Sequence, residues 1–354
     1  MTFDEARAQF PVLERLAYLN AGSNGPLPRA AVAALVAQAE HDLTEGRGSM
    51  AHFEPILELR EVARRGRADV LEVESAFVAL VDSTSRGCAI VLAGLGLKPG
   101  DEVVTTTDEH FGLIGPLHAS GVRVIVAAAD EDAIVAAVTS RTKLLALSHV
   151  LWTSGRRLDL QALQAATGLP LLVDGAQSAG AIPTGAGAYD FYTVSAQKWL
   201  CAPEPTGALY VRDPERLRIA APSYLSQTAY EPSGAFTPKD GAARFDSGWI
   251  GAPTLAGLAA ALEVHPHWRY ERAAQTAARC RELLASRVEV VTPPGHSTLV
   301  SFRPSGDPSE LIARLTDRGV IVRELPGRNL VRASCGWWTS EHDLERLVDG
   351  LDAL

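Results

Sequence analysis

The chain has 354 residues, of which 47% are hydrophobic and 21% charged, a length and balance that suit a globular protein of about two domains. A formal charge of −9, with no basic run to offset it, argues against nucleic acid or an anionic membrane as a partner. Four cysteines (Cys88, Cys201, Cys280, Cys335) form no CxxC pair, no stretch of about 18 apolar residues offers a membrane span, and the polar start Met1-Thr2-Phe3-Asp4 resembles no signal peptide, so no metal site is expected and the expected compartment is the cytoplasm.

In chain order, residues 1–19 read as a short helix and then an extended piece, Leu16-Ala17-Tyr18-Leu19. The stretch Asn20-Ala21-Gly22-Ser23-Asn24-Gly25-Pro26-Leu27-Pro28 reads as a turn-rich loop. Helical spacing of apolar residues predicts helices over 29–45 and 53–71, with the basic pair Arg64-Arg65 taken as a solvated face. From residue 76 the pattern alternates. Strands are expected at 76–81, 102–106, 122–127, 143–147, 170–174, 191–195 and 207–211, with helices at 87–95, 131–138 and 159–167 among the connections. Such alternation predicts an α/β fold, a mostly parallel sheet covered by helices on both faces. Residues 221–253 are rich in Pro, Gly and Ser and read as a long functional loop. A helix is expected over 254–285. Strands at 288–291, 298–302, 320–324 and 329–333 then mix with helices at 308–318 and 340–354.

The chemistry gathers at strand ends. The apolar runs before Asp174 and Lys198 predict strands buried on both faces, and ligands of open α/β sheets sit at the carboxyl ends of strands. Asp174 and Lys198 would therefore emerge at one edge, with Gln177 close behind. A buried carboxylate and a buried amine beside one pocket suggest pyridoxal 5′-phosphate (PLP): the lysine would hold the aldehyde as a Schiff base and the aspartate would keep the pyridine nitrogen protonated. Ser83-Thr84-Ser85, between a strand and a helix, reads either as a plain cap or as a phosphate site. Beside Asp174 and Lys198 the phosphate reading gains weight. His110 follows strand 102–106, where it could stack on a cofactor ring or move protons. His149 reads as a satisfied structural histidine. Arg332 ends a strand, as either a surface arginine or a fork for a substrate carboxylate.

Taken together these residues resemble the class V aminotransferase family of PLP enzymes, which includes cysteine desulfurases, isopenicillin N epimerase-like proteins and C–S lyases. The resemblance is carried by Tyr18-Leu19-Asn20 with Gly22, Ser83-Thr84, Glu109-His110, Ser148-His149-Val150 with Gly155, Asp174-Gly175-Ala176-Gln177, Ser195-Ala196-Gln197-Lys198, Arg244-Phe245-Asp246 with Gly248, and Arg332-Ala333-Ser334. It implies the aspartate aminotransferase type of fold (fold type I), with a mainly parallel seven-stranded sheet and a small C-terminal α+β domain. It also implies a homodimer with active sites at the interface. By the same resemblance Lys198 carries the cofactor, Asp174 meets the pyridine nitrogen, Gln177 the phenolic oxygen, and Ser83, Thr84 and Ser195 the phosphate, with His110 on the ring and Arg332 on the substrate carboxylate. The expected organisation is an N-terminal segment at 1–28 that packs with the small domain and the active site, a large PLP-binding domain at 29–253, and a small domain at 254–354.

Three departures bear on function. Gln197 stands where the family often has histidine, so it joins the cofactor-binding candidates. Trp249 stands where the family commonly has a threonine that reaches the partner subunit's phosphate. With Asn20, Trp152 and Tyr224 it becomes a candidate for the substrate pocket. The desulfurases also carry a sulfur-accepting cysteine on a loop before the Arg-Ala-Ser strand. Here that region is Glu324-Leu325-Pro326-Gly327-Arg328-Asn329, without cysteine. The expected activity is therefore PLP-dependent chemistry on a small-molecule α-amino acid, with β-elimination from a cysteine derivative first, transamination and epimerisation as alternatives, and non-catalytic PLP binding as a rival from another class.

Overall fold

The apolar runs assemble into one seven-stranded sheet: β1 (Val78–Val81), β2 (Glu102–Thr106), β3 (Arg123–Ala127), β4 (Thr142–Ser148), β5 (Leu171–Asp174), β6 (Phe191–Ser195) and β7 (Gly207–Val211). The structure, a computed structural model, describes residues 1–352. Strand order is β1-β7-β6-β5-β4-β2-β3. Only β7 runs against its neighbours, and the other pairings are parallel. Every residue of β1, β2, β5, β6 and β7 is buried, which is why these segments read as continuous apolar runs rather than alternating ones. Successive side chains enter two different cores. Val78 and Leu80 pack in the one shared with the helices Met50–Leu71 and Ala252–Glu263. Ala79 and Val81 pack in the one shared with Thr84–Gly94 and Phe111–Ala119.

Three expectations about secondary structure need correction. The helix expected over 254–285 is two, Ala252–Glu263 and Arg269–Ala285. Pro266 lies between them, without an N–H and with a ring that clashes one turn back, so a continuous helix cannot form. The first of the pair packs against Arg29–Glu45 and Met50–Leu71. The strand expected over 320–324 divides between two sheets. Val320–Ile321 pairs in parallel with Ala17–Tyr18, whereas Arg323–Leu325 pairs antiparallel with Leu330–Ser334. Finally, residues 221–253 are not bare loop, since Gln227–Tyr230 and Phe236–Pro238 form a hairpin.

The second sheet is antiparallel, ordered Glu289–Val290, Leu299–Arg303, Leu330–Ser334, Arg323–Leu325. The N-terminal segment is stitched to it: Asn20 bridges Ser334, and the Ser334 N–H donates to the Leu19 carbonyl at 2.8 Å.

Arg64 is not on a solvated face. It is 3% exposed, and with Arg60 it closes on Asp246, which is fully buried. Asp246 accepts from Arg60 Nη2 (3.0 Å), Arg64 Nη1 (3.0 Å), Arg64 Nη2 (2.8 Å) and the Leu80 N–H (2.8 Å). One carboxylate thus ties the long helix Met50–Leu71 to β1 and to the turn before Gly248. Removing it would leave the buried Arg60 guanidinium without a carboxylate and Arg64 with only the half-exposed Glu61 at 3.1 Å, which costs about 3–5 kcal/mol. Asp246→Ala is therefore expected to lower the denaturation midpoint by that much or to prevent folding. A midpoint within experimental error of the parent would contradict this account of the buried pair.

Candidate active site

Three neighbouring strands deliver the centre of the site. Ser148, at the end of β4, pairs in register with Asp174 at the end of β5, and Asp174 pairs with Thr193 of β6, two residues before Ser195. Asp174 is 3% exposed and accepts the Ala176 N–H at 2.8 Å. No Lys, Arg or His among the described residues comes within 4.0 Å of its carboxylate. Buried carboxylates are ordinarily paired, so a protonated ring nitrogen would suit Asp174 as the cation it lacks.

Lys198 lies three residues past β6. Burial pulls its pKa down to about 8; the negative charge of Asp174 opposes that shift and Arg332 adds to it. The N-terminal loop is clamped beneath it, with the Gly25 N–H donating to the Gln197 carbonyl at 2.8 Å. A methyl group on Gly25 would sit 2.1 Å from the Lys198 carbonyl oxygen, so only glycine allows the loop this close. Gln177 joins the same elements: its Nε2 donates to the Gly22 carbonyl at 2.8 Å and its Oε1 accepts from Trp199 Nε1 at 3.1 Å. One amide N–H of Gln177 is left for a ligand. Gln197 Oε1 is buried without a partner.

The anion cradle has two converging hydroxyls. Thr84, the first residue of the helix Thr84–Gly94, brings Oγ1 to 3.3 Å from Ser195 Oγ, and both residues are buried. The first backbone N–H groups of that helix have no acceptor of their own in the helix, and its dipole favours an anion there. Ser83 is the helix cap: its Oγ accepts the Arg86 N–H at 3.2 Å and donates to Asp82 at 2.6 Å. Its hydroxyl proton is therefore already engaged, so Thr84 and Ser195 are the hydroxyls open to a phosphate.

His110 caps the helix Phe111–Ala119. Its Nδ1 accepts the Gly112 N–H at 3.1 Å, and its ring stands edge-on to Trp152, 5.4 Å between centroids. That bond leaves Nε2 as the nitrogen that can carry a proton and meet a ligand. The walls of the cleft lower its pKa by desolvation, and the charge of Lys198 acts in the same direction. Beside it lies Glu109, which the candidate set omitted although it stands next to His110 in the chain. Glu109 is 8% exposed and accepts from Thr106 Oγ1, the Ser148 N–H and Ser148 Oγ. Burial raises its pKa to about 7 despite these bonds, and Asp174 adds to the rise. It locks the turn that presents His110 onto β4.

Arg332 is 2% exposed. Its Nη1 donates to the Trp152 carbonyl at 2.8 Å, while its Nε is buried with no partner. Burial pulls its pKa down to about 9, with the charge of Arg323 acting the same way. Gly22 leaves room for it, since a methyl group there would meet Nη2 at 2.6 Å. The site thus holds a buried carboxylate lacking a cation and a buried guanidinium lacking an anion, with an amine of lowered pKa nearby. That charge pattern fits PLP and an amino acid. A sequence model described as aminotransferase class-V matches residues 17–347. The chain belongs to the class V aminotransferase family. It is a PLP-dependent enzyme of fold type I.

Within class V, isopenicillin N epimerase of Streptomyces clavuligerus is 28% identical, over 99% of this chain and 98% of its own. Cysteine desulfurase CsdA of Escherichia coli (strain K12) is 26% identical, over 98% of this chain and 96% of its own. Two solved structures of the cystine C–S lyase C-DES are similar in fold and sequence. A variant with glycine covalently linked to the PLP cofactor superposes with a TM-score of 0.90 at 27% identity, covering 98% of this chain and 99% of that one. The complex with cysteine persulfide gives 0.89 at 27%, covering 97% and 99%.

The remaining class V candidates divide. Asn20 is held next to the site, its Oδ1 accepting from Ser23 Oγ at 2.9 Å. Trp152 carries both His110 and Arg332, and its own Nε1 is buried without a partner. Trp249, 49% exposed, packs on Phe53 with 5.8 Å between centroids, and Tyr224 is 65% exposed. Among the described residues no hydrogen bond or ring contact joins either to the Asp174 cluster. His149 is buried, with Nδ1 on Tyr192 Oη at 2.9 Å and its pKa drawn down to about 4 by burial, as a neutral structural histidine should be. No helix among the described residues is long and apolar enough to cross a membrane.

Proposed function

We propose that this enzyme is a C–S lyase that eliminates a sulfur substituent from Cβ of a cysteine derivative without a thiol relay. The observation that carries this reading is the state of the cysteines. Cys88, Cys201, Cys280 and Cys335 are all unpaired and buried, and the turn joining Arg323–Leu325 to Leu330–Ser334 carries none. Even Cys201, three residues past Lys198, is fully buried, so no exposed thiol is offered to take sulfur from a substrate. The similarity to a cystine C–S lyase supports the same reading.

When bound, PLP supplies the sink for the electrons released at Cα. Asp174 is the counter-ion for its ring nitrogen, Thr84 and Ser195 hold its phosphate, and Lys198 holds its aldehyde. Arg332 grips the substrate carboxylate and so sets which Cα bond is aligned for cleavage. Lys198, with its pKa near 8, removes the Cα proton. The C–S bond then breaks with its electron pair on sulfur, and His110 Nε2–H is the donor for the departing thiolate. With one water consumed, the products are a thiol, pyruvate and ammonium.

Transamination and epimerisation would use the same residues, and the epimerase relative spans nearly the whole chain. Incubation with a panel of amino acids that includes cysteine conjugates, with and without a keto-acid acceptor, separates the three. Thiol, pyruvate and ammonia without an acceptor are expected. Product formed only with an acceptor, or loss of optical activity without product, would replace elimination. A homodimer belongs to this proposal, because the exposed Trp249 and Tyr224 are then free to complete a partner's pocket.

A further inference from the structure

Thr107, Asp108, Glu109 and His110 join β2 to the helix Phe111–Ala119, and this turn is held from two sides. On the side of the large sheet, Glu109 fastens it to Ser148 of β4. On the other side it is held by a residue of the second sheet. Arg328 lies in the short turn between Arg323–Leu325 and Leu330–Ser334, the turn that carries no cysteine. Its Nη1 meets Asp108 Oδ1 at 3.1 Å, and its Nη2 donates to the Thr107 carbonyl at 2.8 Å. The other Asp108 oxygen, Oδ2, accepts from Thr153 Oγ1 at 3.1 Å. One carboxylate therefore joins Arg328 both to the turn that ends in His110 and to the residue after Trp152, whose ring stands edge-on to His110. The guanidinium uses two donors on two successive residues, which fixes direction as well as distance in a way a lysine cannot. The side chains of Arg328 and Asp108 are 41% and 21% exposed, and an ion pair that open to water adds little to stability. What it supplies is position.

We infer that Arg328 is a positioning residue for elimination: through Asp108 it sets the place of His110, so that Nε2–H meets the sulfur as it leaves Cβ. This rests on the lyase reading proposed above. As the C–S bond breaks, its electron pair passes to sulfur. The thiolate is held by the hydrogen bond from Nε2–H and takes its proton from water, while His110 keeps its own. A donor fixed in advance acts most strongly where charge develops, and a displacement of about 1 Å can cost about 10²-fold in rate. The benefit depends on the leaving group. A strongly basic thiolate needs the hydrogen bond, whereas a weakly basic one leaves without it. Arg328 thereby decides which thiols the enzyme can expel.

The test compares two conjugates of similar size whose leaving thiols differ in acidity, S-benzyl-L-cysteine and S-(4-nitrophenyl)-L-cysteine. Pyruvate release by the holoenzyme is measured for the parent and for Arg328→Gln. The variant is expected to lose about 10- to 100-fold in kcat with the benzyl conjugate and almost nothing with the nitrophenyl conjugate, at an unchanged melting temperature. Asp108→Asn should reproduce that pattern, and the double variant should be no slower than either single one, because the two residues act as one unit. Arg328→Lys should recover part of the loss, since an ammonium can still meet Asp108. Equal losses with both conjugates would overturn the proposal, because they would place Arg328 in substrate binding or in the fold. So would unchanged kinetics in Arg328→Gln, or an Asp108→Asn variant that behaves like the parent. If the parent releases no pyruvate from these conjugates or from cystine, the lyase reading itself falls and takes this role of Arg328 with it. Elimination in the parent without the leaving-group dependence in the variant removes the role alone.

Discussion

Lys198→Ala is expected to lower turnover by at least about 10²–10⁴-fold, the range supplied by a positioned general base. Borohydride reduction of the parent holoenzyme followed by digestion should leave the cofactor on the peptide that contains Lys198, and the variant should yield no labelled peptide. The variant should still bind cofactor reversibly, because Asp174, Thr84, Ser195 and Gln177 do not depend on the lysine for their positions. Asp174 is set by β5 and the Ala176 N–H, and Thr84 and Ser195 by β6 and a helix start. A variant that keeps parental turnover would remove Lys198 from the chemistry. The lowered pKa gives a further signature. If the neutral amine is the base, activity should rise with pH as the amine deprotonates near 8. A pH profile flat from 6 to 9 would argue for another base.

Arg332→Met should separate function from stability. Losing the grip on the carboxylate is expected to cost about 2–5 kcal/mol, or roughly 30- to 4,000-fold in kcat/KM. The fold should suffer little. Arg332 is a buried charge with no carboxylate partner, its Nε has no hydrogen-bond acceptor, and one bond to the Trp152 carbonyl is all that is lost, worth about 1 kcal/mol. A residue that builds the protein gives the opposite pattern, as Asp246 does. Unchanged kinetics in Arg332→Met would take Arg332 out of the substrate site. A collapse in melting temperature would mean that its charge is satisfied in some other way.

Asp174 and Lys198 were legible because each follows an uninterrupted apolar run, and a polar group at the end of a strand buried on both faces has few places to go. Thr84 is legible only beside them, since a strand, a hydroxyl and a helix in succession fit a plain cap as well as an anion site, and the two residues at the same sheet edge tip the reading. Glu109 was missed as a site residue. Its neighbours in the chain say nothing of Ser148, thirty-nine positions away, whose N–H and hydroxyl hold it in place. The burial of Arg64 is not legible in its neighbourhood, because the buried carboxylate it meets is Asp246, across 182 positions. Periodicity marks which face of a helix is apolar, but it cannot see a buried carboxylate arriving from elsewhere. The break at Pro266 was visible in the sequence and was overridden by the apolar pattern around it.

The sequence by itself determined the class of fold, the cofactor and the edge of the sheet where chemistry would gather, because each of these follows from local patterns a few residues long. The tertiary structure alone decided which charges are left without partners. Asp174 lacks a cation and Arg332 lacks an anion, in a site assembled from two sheets whose strands are far apart in the chain. Whether a buried charge is neutralised depends on every element packed around it, and that is a property of the assembled sheets that no stretch of sequence contains.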